Sequence, residues 1–412
     1  MDVAVIGAGI VGVSIAIHLL RRGRSVVLID RNDSTVEASY GNGGMIQTEG
    51  LLPPPFPRNI GDLARIALNR STAVRYDPFS LPGKAAAFAR YWWHSESTRY
   101  RKIVAESAPL IGGAVAEHRM LAAAAGSQAL FRDDGWIRLF RSEDGWRAAM
   151  KEADMLEAEF GVPHRKLAAG DLAAIEPHLQ PVFQGGIHWH ATPTVSDPGD
   201  VVDSYIRLFR ALGGTTVLAE IRGLEPDRDG WVCHADARGP IRAREIVVAA
   251  GISALPLARQ LGYRLPLIFK RGYHVHYRPS PDATLRRPVL DTESGYLLAP
   301  MRRGIRLATG IEFAGSAAPP SPVQLKRVEP IARAVLDLGE RVEASPWMGT
   351  RVCTPDMKPI IGAAPRHAGL WFAAALAHRG FTLGPIIGRV LSEVMTGDTP
   401  SLDLLPFAME RF

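Results

Sequence analysis

The chain has 412 residues, of which 47% are hydrophobic and 22% charged, a composition typical of a globular protein with two or three domains. Its formal net charge of +6 is spread along the chain, which argues against nucleic-acid binding and is compatible with weak attraction to an anionic membrane or an acidic substrate. The two cysteines, Cys233 and Cys353, stand far apart, which argues against a disulfide framework and a zinc site and indicates a reducing compartment.

The chain begins directly in an apolar strand pattern, and its longest apolar runs, 246–258 and 369–377, are too short to cross a bilayer. We therefore expect neither a signal peptide nor a membrane span. The expected location is the cytoplasm, and peripheral contact with the inner face of the plasma membrane is compatible with the sequence.

A glycine-rich stretch, VIGAGIVG at 5–12, follows a short strand pattern and opens a helical one, and a second strand pattern ends in Asp30. This order is typical of a dinucleotide-binding βαβ unit. In such a unit Gly7 makes the turn, Gly9 lets the backbone approach the pyrophosphate, and Gly12 lets the helix pack on the strand. Asp30 is then placed to accept a hydrogen bond from the ribose. The alternative is a close-packed turn that holds no ligand.

A second glycine-rich stretch, EASYGNGGMI at 37–46, follows the second strand pattern within a few residues. A simple nicotinamide-dependent dehydrogenase begins a helix at this point. A flavin dinucleotide extends past the pyrophosphate and needs close approach of the backbone a second time. The stretch therefore favours a resident FAD over a diffusing nicotinamide. The alternative interpretation is a mobile surface loop.

The rest of the chain alternates between helical and strand-like regions. An extended connector is expected at 51–59, helices over 60–160, a helix that begins at Asp197-Pro198, and strands over 265–313. These patterns predict an α/β fold with a Rossmann-like FAD-binding domain and an α+β substrate domain whose β-sheet is mostly antiparallel. The FAD-binding domain is expected to comprise 1–56, 184–264 and 344–412, and the substrate domain 57–183 and 265–343.

The motifs occur in an order that resembles the D-amino-acid oxidase superfamily of flavoenzymes over essentially the whole chain. They are VIGAGIVG with Asp30, ASYGNGGMI (38–46), VVAAG (247–251), GTRVCTPDMKPIIG (349–362) and HRGFTLGP (378–385). Within this superfamily the chain is similar to bacterial FAD-dependent D-amino-acid dehydrogenases of the small-subunit type and to glycine-oxidase-like enzymes.

The resemblance implies a set of residues around FAD and no metal ligand. They are Gly7, Gly9, Ile10, Val11 and Gly12 at the pyrophosphate, Asp30 at the adenosine ribose, Gly223 beside the adenine, Ala38, Ser39, Gly43, Gly44 and Met45 along the ribityl chain and flavin edge, and Arg31, Gly251, Gly380, Phe381, Thr382 and Leu383 elsewhere around the cofactor.

The resemblance also implies how the substrate is held. Arg351 stands where such enzymes have an arginine that pairs with the substrate carboxylate, and Tyr296 where they have a tyrosine that contacts the same group. A planar, permanently charged guanidinium group suits a carboxylate better than an ammonium group does. His378 is a candidate for tuning the substrate amine, with no dedicated base required when the amine binds neutral. The alternatives are a surface ion pair for Arg351 and a core tyrosine for Tyr296.

Three positions differ from relatives of the family. Ala375-Leu376 replaces the usual Gly-His pair ahead of HRGFTLGP. Cys353 does not match the cysteine that holds FAD covalently in sarcosine-oxidase relatives, so non-covalent FAD is expected. Arg306 stands where those oxidases have an oxygen-activating lysine, which favours a dehydrogenase. The alternative for Arg306 is a strand residue that faces solvent.

A glycine-proline pair near the end of the chain marks one further element. Gly384-Pro385 is expected to begin a helix, with the proline near its first position. The free N–H groups and positive end of that helix would stabilise the negative charge of a reduced flavin. The alternative is a terminal helix that only packs against the core.

Together these features predict FAD-dependent oxidative deamination of a small D-amino acid, by hydride transfer from Cα to flavin N5, to give an imine and a 2-oxo acid. The alternative substrate is a D-hydroxyproline-like imino acid or an N-substituted amino acid of the sarcosine, glycine or opine type. A nicotinamide-linked reductase and a non-catalytic flavin-binding subunit of an oxidase complex are the alternatives of another class. The expected partners are the amino or imino acid and a quinone or another electron carrier, and an oligomer or a partner subunit is compatible with the sequence.

Overall fold

A computed structural model describes residues 1–32, 37–80, 82–236, 239–280 and 283–412. Within them the helices are α1 (Ile10–Arg21), α2 (Ile60–Ala67), α3 (Ala85–His94), α4 (Ser97–Ala124), α5 (Glu143–Phe160), α6 (Ala169–Ile175), α7 (Pro198–Ala211), α8 (Ala254–Gln260), α9 (Val323–Arg333) and α10 (Gly380–Met395). The strands of the first half are β1 (Val3–Ile6), β2 (Val26–Asp30), β3 (Val74–Tyr76), β4 (Phe131–Arg132), β5 (Trp136–Phe140), β6 (Arg165–Ala168), β7 (Gly185–Trp189) and β8 (Thr194–Val195). Those of the second half are β9 (Thr215–Leu218), β10 (Ile221–Asp227), β11 (Gly230–Ala235), β12 (Ile241–Ala243), β13 (Glu245–Val248), β14 (Ile268–Pro279), β15 (Val289–Asp291), β16 (Tyr296–Met301), β17 (Gly304–Thr309), β18 (Ile311–Phe313), β19 (Leu338–Arg341), β20 (Trp347–Cys353), β21 (Ile360–Ala363) and β22 (Leu370–Ala374).

The first strands of the chain form the centre of a parallel sheet. In the described residues it runs in the order β21-β22-β13-β1-β2-β9, and each strand is parallel to its neighbours except β21. β1 is buried on both faces: Val3 and Val5 pack with α1 and α10, whereas Ala4 and Ile6 pack with α8 and the small sheet β10-β11-β12. Burial on both faces is why this strand is a continuous apolar run. The expected Rossmann-like domain is confirmed.

A larger sheet forms the other half of the molecule. Its described strands run in the order β3-β18-β14-β17-β16-β15-β5-β7-β6, and β19 and β20 also pair with β14. Neighbours are antiparallel apart from β5 with β15 and β3 with β18, which confirms the expected mostly antiparallel sheet.

Successive residues of this larger sheet point to opposite faces. The outer face carries Leu298 and Leu307, which pack in a core cluster with α9. The inner face carries Leu297 and Ala299, which pack against Met45 of the second glycine-rich stretch. The inner face is therefore the one that looks toward the parallel sheet.

Two strands lie in a different sheet from the one that the expected domain bounds assign to them. β7 and β20 fall within 184–264 and 344–412, yet β7 pairs with β5 and β6, and β20 pairs with β14. Both strands therefore belong to the larger sheet, although the expected bounds place them in the FAD-binding domain. The pairing joins segments far apart in the chain, which local sequence patterns do not reveal.

The starts of two helices follow from local chemistry. α7 begins at Pro198 as expected, and the side chain of Asp197 accepts hydrogen bonds from its first turn. α10 begins at Gly380, earlier than expected, so Pro385 lies inside the helix. Pro385 has no N–H for the carbonyl of Phe381, and Nε2 of His118 donates to that carbonyl at 2.8 Å instead.

Candidate active site

The glycines between β1 and α1 are required for different reasons. Gly7 has a φ of +106°, and a Cβ on it would lie 2.5 Å from the carbonyl oxygen of Ala249. A Cβ on Gly12 would lie 1.8 Å from the carbonyl oxygen of Gly7, because α1 packs directly on the turn. A Cβ on Gly9 would meet only the hydroxyl of Ser39, at 3.2 Å. Packing thus explains Gly7 and Gly12, whereas the space in front of Gly9 suits a ligand.

The start of α1 offers hydrogen-bond donors beside this space. The amide of Ile10 donates to Oγ of Ser39 at 3.2 Å. The amides of Val11 and Gly12 have no hydrogen-bond partner in the part of the chain that the structure describes. Free amides at the positive end of a helix suit the pyrophosphate of a dinucleotide.

Asp30 lies at the end of β2, next to the same turn. Its Oδ2 accepts a hydrogen bond from the amide of Ala8 at 2.6 Å, and its Oδ1 accepts one from the amide of Asn32 at 3.0 Å. Each carboxylate oxygen keeps a lone pair for a further donor, such as a ribose hydroxyl. The neighbouring Arg31 forms an ion pair with Glu37 at 2.5 Å, at the surface.

The two glycines expected beyond the phosphate turn have different surroundings. Gly251 follows β13 with a φ of +54°, shortly after Ala249, whose carbonyl packs against Gly7. Gly223 lies within β10, where a Cβ would meet the side chains of Gln260 and His234 at 3.6 Å. Gly251 therefore belongs to the surroundings of the turn, and Gly223 to the small sheet.

The segment 38–46 fills the gap between α1 and the inner face of the larger sheet. A Cβ on Gly43 would lie 2.6 Å from the side chain of Leu297. Gly44 has a φ of +79°, and a Cβ on it would lie 2.7 Å from the carbonyl oxygen of Val195. The segment is therefore packed between the two sheets, which argues against the alternative of a mobile surface loop.

Arg306 holds this segment from the inner face. Its Nη1 donates to the carbonyl oxygens of Tyr40 at 2.8 Å and Asn42 at 2.5 Å. Its Nε donates to Nε2 of His276 at 3.0 Å, so the proton of His276 is on Nδ1, which donates to Glu343 at 2.7 Å. Burial lowers the pKa of Arg306 to about 10, so the group is cationic at neutral pH. Because its side chain is completely buried, the alternative of a solvent-facing residue is excluded.

We call the region between the phosphate turn, the second glycine-rich stretch and the inner face of the larger sheet the cleft, and the first turn of α10 borders it. Oγ1 of Thr382 accepts a hydrogen bond from the amide of Gln47 at 3.2 Å, just after the second glycine-rich stretch. Phe381 and Leu383 of this turn point into the core that α10 shares with α1. The positive end of α10 thus lies beside the segment that is expected to contact the flavin.

Arg351 lies on the inner face, in β20, directly opposite Lys270 of β14. Its guanidinium group rests over Gly272, where a Cβ would lie 3.1 Å from Nη2. Arg351 is partly accessible and has no hydrogen bond or ion pair within the described residues, so it is not a surface ion pair. Burial lowers its pKa. An unpaired cation in a cleft suits an anion that a ligand supplies.

Tyr296 lies on the outer face, on the other side of the sheet from Arg351. It packs in the core cluster that includes α9, and its hydroxyl lies near Asp291 and Arg141. Burial raises its pKa. Because the sheet separates the two side chains, the structure does not bring Tyr296 to the expected carboxylate clamp.

An aromatic cluster on the inner face is absent from the sequence-based expectations. The ring of Trp347 stacks on His274 with the centroids 4.7 Å apart, and its edge meets the ring of Tyr40 at 6.1 Å. A Cβ would lie 1.8 Å from this indole on Gly41 and 2.1 Å from it on Gly349. Gly41 and Gly349, which leave room for this indole, are the sequence feature that could have indicated the cluster. The indole therefore packs between Gly41 of the second glycine-rich stretch and Gly349 of β20.

His378 lies in the loop that joins β22 to α10. The amide of Ala377 donates to the backbone of β20 at 2.9 Å, which holds this loop next to Arg351. Burial, and then the charges of Arg379, Lys270 and Arg351, hold the pKa of His378 well below its usual value. The imidazole is therefore neutral at physiological pH and shares its surroundings with the unpaired guanidinium group.

Two alanines in this loop have left-handed backbone conformations. Ala375 has a φ of +55° and Ala377 a φ of +53°. Glycine adopts such angles freely, whereas alanine loses about 1 kcal/mol there. The loop therefore holds both alanines in a backbone shape that glycine would adopt at a lower cost in stability.

Both cysteines are free thiols in the interior. Cys353 ends β20, and burial raises its pKa, so the thiol is protonated at neutral pH. Cys233 lies in β11 and has a raised pKa, to about 12, for the same reason. In the described residues no group of three or more His, Cys, Asp or Glu side chains is placed to hold a metal ion.

Comparison with known proteins gives a consistent picture. The model of the family DAO, described as FAD dependent oxidoreductase, matches residues 2–394. A D-amino-acid oxidase of Bradyrhizobium diazoefficiens is 29% identical over an alignment of 436 residues that covers 100% of this chain and 98% of that protein. A D-amino acid dehydrogenase of Paramagnetospirillum magneticum is 27% identical, with 100% and 99% covered. The crystal structure of glycine oxidase from Geobacillus kaustophilus has a similar fold, with a TM-score of 0.76, 20% identity, and 100% and 98% of the two chains covered.

Proposed function

We propose that this chain, which belongs to the DAO family of FAD-dependent oxidoreductases, oxidises the C–N bond of a small D-amino acid to an imine that hydrolyses to a 2-oxo acid. FAD is the cofactor of the enzyme. The observation that carries the proposal is Arg351, an unpaired guanidinium group over Gly272 on the inner face of the larger sheet. The relatives named D-amino-acid oxidase and D-amino acid dehydrogenase support the same class of substrate.

The residues around the cleft fit FAD. The open space at Gly9 and the free amides of Val11 and Gly12 suit the pyrophosphate, and Asp30 suits the ribose. The second glycine-rich stretch and the first turn of α10 suit the flavin. When bound, FAD supplies the acceptor for the hydride from the substrate α-carbon. We propose that it is held non-covalently, because the thiol of Cys353 is buried and protonated.

Arg351 would bind the substrate carboxylate through two parallel N–H···O bonds, which fixes the orientation of the α-carbon. The stacked rings of Trp347 and His274 would exclude water from one side of the substrate. The cost of leaving Arg351 without a counter-ion is relieved when the carboxylate enters.

The amine must lose its proton before the C–N bond is oxidised. The cationic groups that lower the pKa of His378, namely Arg379, Lys270 and Arg351, lower the pKa of a bound amine in the same way. A neutral His378 adds no further positive charge and can accept a hydrogen bond from the amine. We therefore propose that the substrate reacts as the free amine, without a dedicated side-chain base.

Arg351 recognises a carboxylate, which a D-hydroxyproline-like or N-substituted amino acid also carries. Such a compound is therefore the alternative substrate.

We propose a quinone or another electron carrier as the electron acceptor. The position of the oxygen-activating lysine in similar oxidases is taken by Arg306, which donates to backbone carbonyls. In the described residues no helix combines the length and the apolar composition needed to cross a membrane.

Variants of Arg351 test this proposal. Arg351→Ala should lose about 3 kcal/mol of transition-state stabilisation, which is roughly a hundredfold in kcat/KM. Arg351→Lys keeps the charge and loses the bidentate geometry, so it should remain clearly impaired. The matched control is Arg147→Ala, which removes an exposed arginine that pairs with Glu143 at 3.0 Å.

Activity is measured with a panel of D- and L-amino acids and an artificial acceptor, and FAD content is measured for every variant. If Arg351→Ala keeps FAD and oxidises amino acids like the Arg147→Ala control, the carboxylate clamp is wrong. If the wild type with FAD oxidises no amino acid, the proposed function is wrong, and a non-catalytic flavin-binding subunit becomes the better account.

A further inference from the structure

Lys270 is a buried cation to which the proposed function assigns no contact with the substrate. It lies in β14, 4% exposed, between Arg351 of β20 on one side and Phe313 of β18 on the other. Its ammonium group donates to the hydroxyl of Tyr91 at 3.3 Å and lies 3.7 Å from the sulfur of Met357. In the described residues no carboxylate pairs with it.

The surroundings of Lys270 carry an excess of positive charge. Arg379 is also buried, and its guanidinium group donates to the carbonyl oxygens of Met357 at 2.7 Å and Gly50 at 3.4 Å. The acid that is close in the chain, Asp356, is already paired with Arg411 at 2.8 Å. Neighbouring cations without a carboxylate are costly to bury. The hydroxyl, the thioether and the rings of Tyr91 and Phe313, whose centroids lie 4.8 and 5.5 Å from the ammonium group, compensate only part of that cost.

Lys270 and Arg351 are directly paired neighbours on the inner face of the larger sheet. Directly paired positions of an antiparallel sheet have their Cβ atoms roughly 5 Å apart on the same face. The loop that carries His378 is held to β20 by the amide of Ala377, which donates to Val352 at 2.9 Å, and the charges of both residues lower the pKa of His378. The pKa of Lys270 itself is lowered by burial and by Arg351, and a bound carboxylate would reverse this change.

We propose that Lys270 binds a second carboxylate of the substrate, so that the enzyme prefers dicarboxylic amino acids over their neutral counterparts. This inference rests on the proposed function, in which Arg351 binds the α-carboxylate. Two carboxylates separated by a short carbon chain, as in aspartate, glutamate or an N-carboxyalkyl amino acid, match two cations side by side on one face of the sheet. Binding of the second carboxylate gives the ammonium group the counter-ion that the protein lacks.

The test compares substrates that differ only in charge. The wild type should show a kcat/KM for D-glutamate or D-aspartate higher by about tenfold or more than for D-glutamine or D-asparagine. In Lys270→Met this ratio should fall to about one or below, since the cation is removed and the volume is kept. The matched control is Lys84→Met, which removes a lysine whose ammonium group lies over the ring of Phe269, a residue next to Lys270 in β14.

A binding measurement gives a readout that does not depend on turnover. Succinate and its monoamide are titrated into the FAD-loaded protein, and the heat of binding and the change in flavin absorbance are recorded. The wild type and Lys84→Met should bind succinate about tenfold more tightly than the monoamide, and Lys270→Met should lose this difference. Because the wild-type preference needs no variant, the inference remains testable if Lys270→Met does not fold.

Each outcome has a distinct meaning. If the wild type oxidises D-glutamine as well as D-glutamate and depends on Arg351 for both, the inference about Lys270 is wrong and the proposed function stands. If Lys270→Met lowers both rates equally, Lys270 acts only on the amine proton, as the proposed function already has it, and the inference about a second carboxylate is overturned. If no amino acid is oxidised, the proposed function itself fails.

Discussion

Arg306 provides a sharp test of how the cofactor segment is held. Arg306→Ala removes two charge-assisted hydrogen bonds to the carbonyls of Tyr40 and Asn42, and one to His276. Hydrogen bonds of this kind contribute about 1.5–3 kcal/mol each. Burial of the charge opposes them: it lowers the pKa from 12.5 to about 10, which corresponds to about 3 kcal/mol. The expected net loss of folding free energy is about 1.5–6 kcal/mol.

The assay is urea unfolding at neutral pH, followed by tryptophan fluorescence, together with FAD retention after gel filtration. Arg306→Ala should unfold at lower urea and lose FAD, because the segment 38–46 is no longer held against the inner face. Arg306→Lys keeps the charge and one carbonyl contact, so its loss should be intermediate. The control Arg303→Ala changes a neighbour that is more than half exposed, and its effect should stay within about 0.5 kcal/mol. An Arg306→Ala protein that matches this control in stability and in FAD retention would refute the reasoning.

Three further predictions concern the phosphate turn, the interior of α10 and the acceptor. Gly12→Ala should prevent stable folding, because its Cβ would lie 1.8 Å from a carbonyl oxygen. Gly9→Ala should fold with near-normal stability in urea and should bind FAD weakly. Equal FAD affinity in Gly9→Ala and the wild type would contradict this prediction. Burial lowers the pKa of His118 from 6.5 to about 4 in the folded protein. As the pH falls, the imidazole is therefore protonated in the unfolded chain before it is protonated in the folded protein. About 3 kcal/mol of folding free energy is lost between pH 6.5 and pH 4. His118→Gln, whose amide can still donate to Phe381, should show a smaller loss over this range in pH-dependent urea unfolding, and an unchanged slope would contradict the assignment. In stopped-flow mixing, oxygen should reoxidise the reduced protein slowly and a quinone analogue should do so quickly; reoxidation by oxygen at the rate of turnover would make the enzyme an oxidase.

Local sequence patterns predicted the structure correctly where a few consecutive residues determine it. The turn at Gly7 and Gly12, the strand that ends in Asp30 and the capped start of α7 each depend on a few consecutive residues, and the structure has them as expected. The start of α10 was placed too late, because the carbonyl left free by Pro385 is bonded by a histidine from α4. That contact joins residues far apart in the chain.

The candidate site was harder to predict because it lies between strands that pair at long range. Residues on both faces of β16 are buried, so alternation alone does not tell whether Tyr296 faces the cleft or the core. The pairing of β20 with β14 also joins residues far apart in the chain, so the neighbouring positions of Arg351 and Lys270 were not predicted. A lysine inside an apolar strand, as in LIFKRGYHV, was the one local sign of this pair.

The central claim is that the enzyme oxidises an amino acid and that Arg351 recognises the carboxylate of this substrate. The most direct measurement is anaerobic mixing of the FAD-loaded protein with a D-amino acid, the amine that lacks its carboxylate, and the hydroxy acid that lacks its amine. We predict that the amino acid alone bleaches the flavin absorbance, at a rate that Arg351→Ala lowers roughly a hundredfold. Bleaching by the amine at the same rate, or no bleaching by any amino acid, would contradict the account.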